Sequence, residues 1–188
     1  MSETGSSRKR VAPIIASVVG ALLVAFLWVL VTAKPNTADD ADSPLLGQPA
    51  PSVVTTTLSE EDFVLARRKG SWVIFNFFNS TCVPCVAEHP ELVAFNERES
   101  TAANPAELYT VINDDNDDSV RAFFSKNGGE WQKIRDLDGA ISVAFGVAKV
   151  PETWVIDPNG YVRLRIAGQL TPGLLDDQLA LLKKQFGS

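Results

Sequence analysis

The sequence predicts an α/β domain on a mixed sheet, reached through a single N-terminal helix long enough to cross a membrane. Three observations carry this. An apolar run without charge extends from Val11 to Ala33, two buried-strand patterns lie in the middle of the chain, and helical patterns alternate with them up to a well-marked final helix. Apolar residues make up 45% of the 188-residue chain, enough for a sizeable core.

At about 1.5 Å per helical residue, the run from Val11 to Ala33 reaches roughly 34 Å, enough to span a bilayer's hydrocarbon core. Arg8, Lys9 and Arg10 precede it. Under the positive-inside rule they hold residues 1–10 in the cytoplasm and send everything after Ala33 across. A cleaved signal peptide is the alternative, but its apolar core is usually only about 7–15 residues. Residues 11–33 are therefore assigned as a transmembrane signal-anchor. No cysteine lies near its end, which excludes a lipid-modified N-terminus. Residues 34–43, KPNTADDADS, form an acidic linker, and residues 44–188 the folded domain. The first 34 residues carry +3, leaving −9 for the remainder of a chain whose total is −6. Such an acidic exported domain is a poor ligand for nucleic acid or anionic lipid.

Trp72 to Phe78 (WVIFNFF) and Glu107 to Asn113 (ELYTVIN) read as strands buried on both faces. Val120, Phe123 and Phe124 recur at helical spacing and stop at Gly128–Gly129. TWVID (153–157), the turn Pro158–Asn159–Gly160 and YVRLRIA (161–167) read as a hairpin. The last helix opens at Thr171–Pro172, with Asp176 and Asp177 early, Lys183 and Lys184 late, and a stripe of Leu174, Leu175, Leu179 and Leu182.

Both cysteines fall in Cys82-Val83-Pro84-Cys85, between the first strand and a helical pattern of Val86, Leu92, Val93 and Phe95. A Cys-x-x-Cys at such a junction reads as a thioredoxin-like redox motif. Unpaired N–H groups and the positive dipole end of a helix stabilise a thiolate on the first cysteine, and only a thiolate attacks a disulfide. Zinc needs four ligands, and His89 is the only histidine. Covalent haem attachment needs a histidine where the chain has Val86. A purely structural disulfide closing so short a loop constrains the unfolded chain little. No metal or separate cofactor is expected, the reactive group being the cysteine pair itself.

Asn76 is the one polar side chain in the WVIFNFF run and should be hydrogen-bonded near the pair. Glu88 follows Cys85 by three residues, on the same helical face, where a partly buried carboxylate could take the proton of Cys85. His89 reads as incidental, and Pro90 should kink the helix. Asp114, Asp115, Asp117 and Asp118 lack the glycine and closing glutamate of a calcium loop and read as a solvated turn.

Taken together, LLGQPAP near Leu45, Asn76, the C-V-P-C motif with Ala87–Glu88 and Pro90–Leu92, and VPETWVIDPNGYVRLRIAGQLT (150–171) resemble the TlpA/ResA/CcmG (DsbE) group of membrane-anchored thioredoxin-fold proteins. The P-E-T, I-D-x-x-G and Gly-x-Leu elements are most similar to the CcmG branch. The resemblance covers about Leu45 to Gln185 and implies a thioredoxin fold. It implies a cis bond at Val150–Pro151 facing the cysteines and a glutamate near the site at Glu152. Two departures stand out: Asn76 replaces thioredoxin's aspartate, a feature the group shares, and Thr81 stands where many members have tryptophan. The resemblance further implies a reductant of apocytochrome c, or of a maturation partner's thiols, recharged by a membrane electron donor. A general or oxidative disulfide-exchange enzyme and a redox-inert binding module remain open beside it.

Overall fold

A computed structural model describes the backbone of residues 8–32, 39–40 and 42–187 and the side chains of residues 14–28 and 42–187. Of the expected N-terminal segment 1–10, anchor 11–33 and linker 34–43, residues 1–7, 33–38 and 41 lie outside the described residues. The chain divides into two compact units, Met1–Pro35 and Asn36–Ser188.

In the first unit, helix α1 spans Arg8–Thr32. Its side chains at 14–28 are all exposed, including Leu22 at 65% and Val24 at 67%. Among the described residues no helix is long and apolar enough to cross a membrane. The uncharged run of the sequence, 11–33, extends beyond those described side chains at both ends.

The second unit is a thioredoxin-type α/β fold. Its strands are β1 (Asp39–Asp40), β2 (Val54–Thr56), β3 (Asp62–Val64), β4 (Val73–Phe78), β5 (Glu107–Ile112), β6 (Gln132–Arg135), β7 (Glu152–Ile156) and β8 (Val162–Ala167). Its helices are α2 (Val83–Ser100), α3 (Asp117–Asn127), α4 (Ala140–Phe145) and α5 (Leu174–Phe186). The main sheet runs in the order β1, β8, β7, β4, β5, β6, and β2 and β3 form a separate hairpin. Central β4 is parallel to β5 and antiparallel to β7, so the sheet is mixed. All six residues of β4 are buried because both its faces are covered. Ile74 and Phe78 pack into one core with Leu92, Phe95, Leu175 and Leu179 from α2 and α5. Val73, Phe75 and Phe77 face a second core with Tyr109, Phe145 and Trp154.

The β7–β8 hairpin closes as the Pro-Asn-Gly signal predicts. Gly160 adopts φ 87°, and Asp157 Oδ1 accepts the N–H groups of Asn159 and Tyr161. In α5 the stripe Leu175, Leu179, Leu182 is buried.

Two expectations need correction. Helix α5 begins at Leu174, not at Thr171: the Thr171 carbonyl accepts the Leu174 N–H in a turn, and Gly173 sits at φ 76°, outside helical geometry. The linker is not wholly free of structure, since Asp39 and Asp40 pair with Ala167 and Ile166 as an edge strand. The hairpin β2–β3, strand β6 and helix α4 have no counterpart in the sequence reading. Each has three to six residues, too few for a periodic apolar signal to emerge. Helix α2 runs from Val83 to Ser100 with Pro90 inside it, where the proline lacks the N–H that would have bonded the Val86 carbonyl.

Phe75 is fully buried, with its ring 5.7 Å from that of Phe145 and 6.1 Å from that of Tyr109. Phe75→Ala should lower unfolding free energy in urea by about 3–5 kcal/mol. A loss below about 1 kcal/mol would mean that this face of the sheet is not packed as described.

Candidate active site

The parallel strands β4, β5 and β6 end on one side of the sheet, and the cysteines sit there, just past β4. Cys82 is the N-cap of α2, with extended backbone at φ −76° and ψ 110°, and its Sγ accepts the Cys85 N–H at 3.3 Å. Pro84 in the first turn lacks an N–H that would have been unpaired in any case. Cys82 and Cys85 form a disulfide with a Cα–Cα distance of 5.2 Å. The two sulfurs are unlike. Cys85 is fully buried in the α2–α5 core, whereas Cys82 is half-buried and flanked by Val83, 79% exposed, and by exposed Pro84. A partner sulfur can therefore reach Cys82 but not Cys85.

Opposite Cys82 stands the segment before β7. The Val150–Pro151 peptide bond is cis, and the Val150 carbonyl oxygen lies 3.7 Å from Cys82 Sγ. The residues expected at 82–85 and 150–151 thus come together.

Behind Cys85 is a polar group inside an otherwise apolar interface. Glu88, one helical turn on, is 1% exposed. Its Oε1 accepts Asn76 Nδ2 at 2.7 Å, and its Oε2 accepts the Leu170 N–H at 2.7 Å. Asn76 Nδ2 also donates to Thr153 Oγ1 at 3.1 Å, while Asn76 Oδ1 is buried without a partner. Burial pushes the Glu88 carboxyl up to about 7, against the opposing pull of the Leu170 and Asn76 hydrogen bonds. A carboxyl with that affinity can exchange a proton with a thiol near neutral pH. Sequence reading placed Asn76 and Glu88 at this point but missed Thr153 and the Leu170 amide. Thr153 could have been found from strand alternation, since it opposes Asn76 across β4 and β7; the Leu170 amide carries no side-chain signal.

Two glutamate and histidine positions behave otherwise. Glu152 follows the cis proline, but its side chain alternates to the sheet face opposite Thr153. There its carboxylate is gripped at both oxygens by Arg165, at 2.8 and 3.0 Å, in a largely buried pair. It faces away from Glu88. His89 is buried among Phe123, Phe124 and Trp131, with Nε2 3.1 Å from the Gly128 carbonyl, and burial holds its pKa below the usual histidine value. In the turn 114–118, Asp115 receives the Ser80 N–H and Asp117 pairs with Arg135.

Comparison with known proteins agrees with this geometry. Residues 46–165 match the AhpC/TSA family, well over half of the chain. The thiol:disulfide interchange protein HelX of Rhodobacter capsulatus is 30% identical over 149 residues, covering 78% of this chain and 81% of the relative. A DsbE homolog among thiol:disulfide interchange proteins, from Paracoccus denitrificans, is 31% identical over 147 residues, with 76% of each chain covered. The thioredoxin domain of a thiol-disulfide oxidoreductase from Bacteroides vulgatus shares the fold at a TM-score of 0.65 and 18% identity, over 74% of this chain and 99% of that one. The motif resemblance drawn from residues alone falls in the same group.

A carboxyl raised from 4.5 to about 7 keeps its proton in the folded state where the unfolded chain has already lost it. The stability this group contributes is therefore complete below pH 4.5 and is lost as pH rises through about 7, a difference of roughly 3 kcal/mol. Glu88→Gln should remove that slope, so the oxidised variant gains on the parent protein at pH 8 but not at pH 4. Urea unfolding at both pH values measures it; equal differences at both would refute the buried-carboxyl assignment.

Proposed function

Because this chain belongs to the AhpC/TSA family, we propose that it acts outside the cytoplasm as a thiol–disulfide oxidoreductase that keeps exported thiol proteins reduced. The observation that carries the reading is the asymmetry of the pair: one reachable sulfur at a helix N-cap, one fully buried sulfur behind it, and a buried carboxyl a turn further on. The names of the HelX and DsbE relatives support the enzyme class.

The reaction moves two electrons from the reduced pair to a partner disulfide. Cys82 thiolate attacks one sulfur of that disulfide, forming a mixed disulfide and expelling the other sulfur as a thiolate, which takes a proton from solvent. Glu88 accepts the proton of Cys85. The Cys85 thiolate then attacks Cys82 Sγ, closing the Cys82–Cys85 disulfide and releasing the second partner thiol, with Glu88's proton available to it. The partner's extended segment would lie along Val150 and Pro151 by strand addition. Val83 and Pro84 place no cation between the cysteines to stabilise the thiolate strongly, which favours a reductant over an oxidant.

The resemblance to the CcmG branch points to apocytochrome c, or a partner thiol protein of cytochrome c maturation, as substrate, and to a membrane electron donor that reduces the disulfide again. The uncharged run 11–33 behind Arg8–Arg10 supports a single-pass anchor with the redox domain on the extracytoplasmic side.

Cys82→Ser should abolish exchange, whereas Cys85→Ala should accumulate a covalent partner on Cys82. Mass spectrometry of that adduct identifying an apocytochrome, or a thiol protein that serves one, is the expected result. A reduction potential near −270 mV or below fits the reductant, and one near −120 mV would replace it with an oxidant. In Glu88→Gln the second step should slow by about 10²–10⁴-fold near pH 7, with mixed-disulfide formation little changed.

A further inference from the structure

The loop that delivers Cys82 to the head of α2 is held by side chains that no part of the proposed chemistry uses. Asn79 employs its whole amide. Its Oδ1 accepts the Thr81 N–H at 2.9 Å and the Thr81 hydroxyl at 2.7 Å. Its Nδ2 donates to the carbonyls of Asn113 at 3.0 Å and Asp114 at 2.7 Å, in the loop after β5. The Asn79 backbone carbonyl accepts the Cys82 N–H at 3.1 Å. From the same β5 loop, Asp115 Oδ2 accepts the Ser80 N–H at 2.6 Å. The backbone donors of Ser80, Thr81 and Cys82 are all occupied in this way. Those of the loop cannot swing toward solvent without breaking a bond.

The brace continues to the opposite wall of the cleft. Asn113 Nδ2 donates to Ser142 Oγ at 2.8 Å in α4, and the Ser142 carbonyl accepts the Val147 N–H at 2.8 Å. Three residues later comes Val150, whose carbonyl faces Cys82 Sγ. One hydrogen-bonded line thus joins the loop before the reacting sulfur to the segment across from it.

We propose that Asn79 and Asp115 are positioning residues for the attacking sulfur, holding the 79–82 loop so that Cys82 caps α2 and stays set against Val150. The proposal rests on the disulfide-exchange reading. Its physical content is that the helix N-terminus stabilises the Cys82 thiolate only while Cys82 stays in the cap position. Loosening the loop moves the thiol toward the free value of about 8.5 and misplaces the nucleophile.

The test measures thiolate absorbance against pH in the reduced protein, and the rate of exchange with a small aromatic disulfide. Asn79→Ala and Asp115→Ala should each slow exchange by roughly tenfold and raise the Cys82 titration midpoint. Asp115→Asn keeps an acceptor oxygen for Ser80 and should return the rate to within about twofold of the parent. Asp115 stands in a surface loop, so its variants decide the matter even where Asn79→Ala fails to fold. Parent rates and parent midpoints in folded Asp115→Ala would overturn the brace, whatever the melting temperature. The same rates left unmoved by Cys82→Ser would instead overturn the enzymatic reading.

Discussion

The buried carboxyl of Glu88 is the constraint around which this fold is arranged. An ionisable group in an apolar interface is tolerated only where its oxygens are met by donors. Here one donor comes from the middle of the central strand through Asn76, and one from the backbone before α5 at Leu170. Helix α2, strand β4 and the final helix are therefore pinned to one another at a point directly behind Cys85. The penalty on the charged form remains, since neither donor is a cation and none of the ion pairs among the described residues includes Glu88. A group that is costly to ionise in the resting disulfide is one that can take a proton during turnover at neutral pH. The surrounding cores, with residues such as Phe95 and Trp72 fully buried, supply the stability that this site subtracts.

Geometry also separates the roles of the two sulfurs. Helix α2 must start at Cys82 for the first sulfur to lie among free helix donors, and its first turn then carries Cys85 inward beneath it. Exposure follows from depth along the helix: the cap residue sits at the open cleft, and Cys85, in the first turn behind it, lies in the core. An exchange partner can reach Cys82 first, and the buried Cys85 meets only Cys82 above it.

Much of this was legible in the residues. The strand β4, the cysteine pair at its exit and Glu88 at helical spacing are local patterns, and local patterns survive in sequence. The partners that complete the site are not local. Thr153 reaches Asn76 from 77 positions away, and Leu170 reaches Glu88 from 82. Glu152 is the opposite case. Its place after the cis proline puts it beside the site in sequence, yet strand alternation turns its carboxylate to Arg165 on the far face. The acidic turn after β5 reads in sequence as solvated surface, yet Asp115 receives the Ser80 amide. Short elements such as β6 and α4 escaped because an apolar period needs more residues than they have.

The same distinction bears on Thr81, at the position where the resemblance noted from the sequence implies a tryptophan in many family members. A bulky aromatic beside the first cysteine fixes a loop by packing; a threonine cannot, being small and, here, exposed. This chain satisfies the loop's donors instead through Asn79, and the Thr81 hydroxyl joins that bond network. Hydrogen bonds at a surface compete with water and are individually worth only about 0.5–1.5 kcal/mol, so a loop held this way needs several at once. Asn79 alone makes four through its side chain, and Asp115 adds another. A saturated amide keeps the loop in shape while Thr81, Val83 and Pro84 around Cys82 stay exposed.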